Sequence, residues 1–127
     1  LTQEWEGSGV LALAFGVLSL AAALGATAFI AHQRGRGFGG ISLPAIGATH
    51  GLIAASGVII LLLAWRRGDI IGKGAVDALL LLGAGLLGGL TIALLAWKRS
   101  AVPGGLVLVH ALVAGLGYLI LAGVTLG

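Results

Sequence analysis

The sequence predicts an all-α fold: an integral membrane four-helix bundle in one domain, with both termini on the same side of the bilayer. Three observations lead there. Hydrophobic residues make up 59% of the 127-residue chain and charged residues only 9%, against roughly 25% charged in ordinary soluble domains. Four apolar runs, about 9–31, 43–65, 75–97 and 102–124, each reach the ~20 residues that cross a hydrocarbon core. They are rich in Leu, Ala and Gly and show no period-two alternation, which favours helices over barrel strands.

Composition also removes whole classes of function. The chain has no cysteine, so disulfides, iron–sulfur clusters and cysteine-ligated metals are excluded. Its formal charge of +3 is carried at the helix ends, where basic residues anchor and orient a membrane protein. No motif supports nucleic-acid binding, and the first expected partner is the lipid bilayer itself.

Residues 1–8 are a polar lead in which Trp5 suits the membrane interface, its indole N–H kept hydrated. Acidic Glu4 and Glu6 stand where a signal peptide would carry basic residues. The first span is uncharged, and Gly16, Ala21, Ala22, Ala23 and Gly25 give it small faces for close helix packing. His32 closes it as an interface residue near a helix C-terminus. The loop that follows holds Arg34 and Arg36 among Gly35, Gly37, Gly39 and Gly40. It lacks the lysine and the strand–loop–helix setting of a phosphate-binding loop.

The second span starts at Pro44, in the first turn, where a missing N–H costs nothing. Gly47 and Gly51 make a small face beside His50, and Trp65-Arg66-Arg67 anchors the end. In the third span Asp77 lies one turn inside the start, four residues from Lys73, an arrangement that suits a helix N-terminus. Gly85 and Gly89 form a G-x-x-x-G pair there, and Trp97-Lys98-Arg99 closes the span. The fourth begins near Pro103 and carries His110, Gly115, Gly117 and Tyr118. The side without the termini holds Arg34, Arg36, Lys98 and Arg99, against Arg66, Arg67 and Lys73 opposite. By a margin of one, the positive-inside rule places the termini outside.

Two stretches organise the chain, SLPAIGATHGLIAASG and AVPGGLVLVHALVAGLG. Each sets a proline near the start of an apolar run, a histidine six or seven residues later, and a glycine seven beyond that. A step of seven is two helical turns, so His50 shares a face with Gly57 and His110 with Gly117. Spans two and four run the same way, and both histidines lie roughly 10 Å in from one end at 1.5 Å per residue. That is the geometry for two axial ligands on one flat, metal-centred cofactor. The expectation is one b-type haem, with His50 and His110 on the metal and Gly57, Gly117 and Gly47 leaving room for the ring. Arg34, Arg36, Lys98 and Arg99 lie at the nearer surface, where propionates would pair with them.

With T-H-G-L around His50, V-H-A-L around His110 and four spans, the chain resembles the cytochrome b561-like membrane families. The resemblance implies b-type haem held by histidines on paired helices, with electrons moving between a reductant or quinone and an acceptor. The usual two-haem versions use four histidines. Here the first span has only His32 at its edge and the third has none, so one haem and a partner redox protein are expected. Other membrane subunits are expected as neighbours, in a bacterial or organellar inner membrane.

The competing reading is a cofactor-free accessory subunit of a respiratory or photosynthetic complex, with the histidines as packing groups. The Pro-His pattern in each second member of two helix pairs also hints at a parallel repeat. A transporter would carry more intramembrane polar groups than Asp77, the histidines, Thr49 and Thr91. A hydrolase or a dinuclear carboxylate centre lacks its residues altogether.

Overall fold

A computed structural model describes the backbone of residues 2–70 and 72–127, and the side chains of 8–70 and 72–127. Trp5, Glu4 and Glu6 therefore lie outside the described side chains. Four helices follow in order: α1 (Thr2–Gln33), α2 (Leu43–Arg67), α3 (Lys73–Trp97) and α4 (Gly104–Leu126). Each contains a stretch long and apolar enough to cross a membrane. The chain is a four-helix membrane protein. α1 begins well before the span predicted for it, because the lead is itself helical.

The ends of α2 follow local rules. Ser42 caps its start, its hydroxyl accepting from the Ala45 N–H at 3.4 Å, and Pro44 sits in the first turn. Gly68 closes it in the left-handed conformation at φ 77°. Its N–H donates to the Trp65 carbonyl at 3.0 Å, and that of Asp69 donates to Ala64 at 2.9 Å. α3 starts after Gly72, and Lys73 bonds Asp77 at 2.7 Å on an exposed face. The structural pairing expected for Asp77 is present.

Short loops make consecutive helices antiparallel neighbours. α1 lies along α2 and α3 along α4, as two tight hairpins, while α2 meets α3 and α1 meets α4 more lightly. α2 and α4 therefore face each other across the diagonal of the bundle.

The packing is uneven along the bundle axis. Ala14, Leu18, Val58, Leu61, Ala64, Ile70, Ala75, Ala78, Leu82 and Leu121 form the buried core. All lie in the half nearest the termini and the α2–α3 loop. Phe15 stacks on Tyr118 there, ring centres 5.5 Å apart and nearly parallel, and Tyr118 shares a hydrogen bond of 2.8 Å with Ser19. In the half carrying the other two loops, no residue of α3 after Gly85 or of α4 before Gly117 is buried.

Candidate functional site

His50 and His110 sit at the boundary between these halves, both half-buried. They project from diagonal helices and meet, with ring centres 6.1 Å apart and ring planes crossed at 82°. The depth match expected from the spacing brings the two side chains together.

Each ring is held by the other helix of its own hairpin. His50 Nδ1 lies 2.7 Å from the Ala21 carbonyl of α1, and His110 Nδ1 lies 2.8 Å from the Gly85 carbonyl of α3. A carbonyl only accepts, so in each ring Nδ1 carries the proton and donates. In the neutral form of each ring Nε2 is then the nitrogen that keeps its lone pair.

Glycine explains how a ring reaches a carbonyl inside a helix. A side chain four residues on lies back over the preceding turn and would cover that oxygen. Four residues beyond Ala21 and Gly85 stand Gly25 and Gly89. A Cβ on Gly25 would come 2.8 Å from His50 Cε1, and one on Gly89 3.0 Å from His110 Cε1. A Cβ on Gly88 would also border His110, at 3.5 Å from Nδ1. These glycines make the open faces on which the imidazoles rest.

The hairpins are two versions of one plan. Ala14→Ala78, Leu18→Leu82, Ala21→Gly85, Gly25→Gly89 and Thr27→Thr91 each step by 64 residues. His50→His110, Gly57→Gly117 and Leu61→Leu121 each step by 60. The roles repeat with the positions. Thr27 and Thr91 both bond the carbonyl four residues back, at 2.9 Å. The histidines and glycines of the two Pro-His stretches keep this register, whereas the prolines are one residue out of it, Pro44 falling opposite Gly104. The likeness of LLLAWRR to IALLAWKR is not, since Arg66 falls opposite Leu126.

The remaining predicted site residues fall in three places. Gly57 and Gly117 are buried, but the space beside them is filled from the neighbouring helix. A Cβ on Gly57 would come 2.6 Å from Leu18 Cγ, and one on Gly117 3.0 Å from Leu81 and Leu82. These glycines let leucine in, and the glycines bordering the rings are Gly25, Gly88 and Gly89. Gly47, one turn from His50 towards the loop end, has nothing within 4 Å of where its Cβ would stand. Arg34, Arg36, Lys98 and Arg99 are all exposed at that loop end, and Arg99 takes a left-handed φ of 54° just past α3.

Sequence reading missed Ala21, Gly25 and Gly89 as supports for the histidines. Their signal was the pair A-x-x-x-G and G-x-x-x-G at a constant offset from one another. Among the described residues no cluster of three or more His, Cys, Asp or Glu exists, so a metal centred here has two protein ligands to draw on. Two imidazoles in line on opposite sides of one metal, each with a nitrogen about 2 Å from it, hold their ring centres roughly 6 Å apart, and the pair stands at 6.1 Å. No family model, no curated protein and no solved structure matches the chain. The resemblance noted above thus extends to the general four-helix membrane type.

Proposed function

We propose that the chain is a membrane electron-transfer subunit holding one b-type haem between α2 and α4. His50 and His110 are its axial ligands, and it exchanges electrons with quinol or a partner redox protein in a bacterial or organellar inner membrane. One observation carries the reading. Two imidazoles from diagonal helices have ring centres 6.1 Å apart, each with Nδ1 already committed to a backbone carbonyl. That commitment fixes ring orientation and leaves Nε2 as the nitrogen available to a metal, which is what outer partners of ligating histidines do.

The haem, when bound, supplies a one-electron couple. The protein's own residues do the rest. Ala21 and Gly85 hold the imidazole protons away from the site, and Gly25 and Gly89 keep the rings seated. Leu18, Leu82 and the core below them exclude water. Arg34, Arg36, Lys98 and Arg99 offer cations to propionates at the loop end. The finer kinship with the cytochrome b561-like families belongs to this proposal.

The test is a reduced-minus-oxidised visible spectrum of protein isolated from its native membrane, with a pyridine extract to count haems. A b-type band that vanishes in both His50→Ala and His110→Ala, and survives in His32→Ala, is the expected result. An absent chromophore overturns the reading. The chain is then a cofactor-free accessory subunit, its imidazoles cross-bracing the two hairpins.

A further inference from the structure

Resting on that reading, we infer that the site exchanges electrons across one membrane face only, the face carrying the α1–α2 and α3–α4 loops. The partner received there is a redox protein with an acidic docking patch.

Three independent observations point the same way. The first is depth. His50 lies seven residues from the start of α2 and His110 six from the start of α4, roughly 10 Å from the loop end at 1.5 Å per residue. The opposite helix ends, Arg67 and Leu126, are roughly 25 Å away along the same axes. Electron transfer rates fall exponentially with distance, so the nearer face dominates.

The second is packing. Between the histidines and the termini stands the buried leucine and alanine core, sealed by Leu18 in the space of Gly57 and by Leu82 in that of Gly117. Towards the loop end α3 and α4 bury nothing. Among the described residues the contrast is sharpest in α3 and α4; towards the loop end only Ala31 of α1 and Ile46 of α2 are buried.

The third is charge. Arg34, Arg36, Lys98 and Arg99 are exposed around the loop end, and no Asp or Glu lies in either loop there. At the other end the cations are interleaved with Asp69 and Asp77, and Lys73 is already paired. A single-sign rim draws a partner of opposite sign and orients it for docking. In each turnover the reduced partner loses one electron and the site gains one, and the acceptor reverses this at the same face.

The experiment uses the full chain in nanodiscs of neutral phosphatidylcholine, where both faces are reachable. Pre-reduced protein is oxidised by ferricyanide, an anion, or by hexaamminecobalt(III), a cation. Raising the salt should slow ferricyanide by about tenfold and should not slow the cation. Combined R34Q, R36Q, K98Q and R99Q, compared at equal haem content because the same cations are offered to the propionates, should erase that contrast, whereas combined R66Q, R67Q and K73Q should leave it. As a readout free of haem, a labelled poly-glutamate peptide should bind the apoprotein, and the loop-end variant should lose about tenfold in affinity. The inference is overturned if the terminus-side variant erases the contrast, if neither variant does, or if anionic lipid alone competes the peptide away. If the protein yields no chromophore, the haem reading fails and this inference with it. A chromophore without charge discrimination sinks this inference alone.

Discussion

Gly25 and Gly89 decide, at the scale of single residues, whether the histidines can sit where they do. Gly25→Val or Gly89→Val should push the ring off its carbonyl. We expect the Nδ1–H signal of that histidine, followed by ¹⁵N NMR in the apoprotein, to lose its hydrogen-bonded character. Stability should fall by about 1–3 kcal/mol. Gly47→Ala, with open space around it, should change stability by less than about 0.5 kcal/mol. Equal losses at Gly47 and Gly25 in thermal unfolding would refute the argument. The histidines were legible because a polar ring inside an apolar span stands out. Their acceptors were not, because every residue carries a carbonyl and nothing in a side chain marks Ala21 or Gly85 as the one used. The leucines beside Gly57 and Gly117 were hidden for a related reason. Leucine is so common here that no single one announces its target.

Among the elements, α2 shows what local chemistry contributes. Its proline was read in the first turn, the serine cap and the terminal glycine were not singled out, and each performs its ordinary role. Gly68 holds φ 77°, which a Cβ disfavours, so Gly68→Ala should lower stability by about 1 kcal/mol in detergent unfolding. Lys73→Ala should cost less than about 0.5 kcal/mol, because its ion pair with Asp77 is exposed. A larger loss for Lys73→Ala than for Gly68→Ala would contradict this ranking. The number of helices followed from run length and loop punctuation. Their rotational phase did not, since spans apolar on every face leave periodicity nothing to detect. The helical lead of α1 escaped because polarity was read as the end of an element, whereas a helix can continue past the membrane.

On the scale of the whole molecule, burial is concentrated towards the termini, and α3 and α4 bury nothing towards the loop end. Native interiors are close-packed, so the lightly filled half is where motion should concentrate. In detergent, amides of 87–97 and 104–116 should exchange at least about tenfold faster than those of 10–18 and 118–124. Adding haem should slow the first group and leave the second unchanged. Uniform exchange along all four helices would show that the burial asymmetry has no dynamic counterpart.

The two-hairpin plan has one more consequence. In an assembly of two identical hairpins, every substitution is made twice, so a hydroxyl introduced into the interior would appear on both sides. A single chain carrying both copies is released from that bookkeeping. Ser19 bonds Tyr118 on one side of the pseudo-axis, while the counterpart positions hold Gly83 and Val58, with no hydroxyl at all. Having both hairpins in one chain lets the protein keep a matched pair of imidazoles and still differ in polarity from one flank to the other. Equivalent ligands can thus experience unequal surroundings.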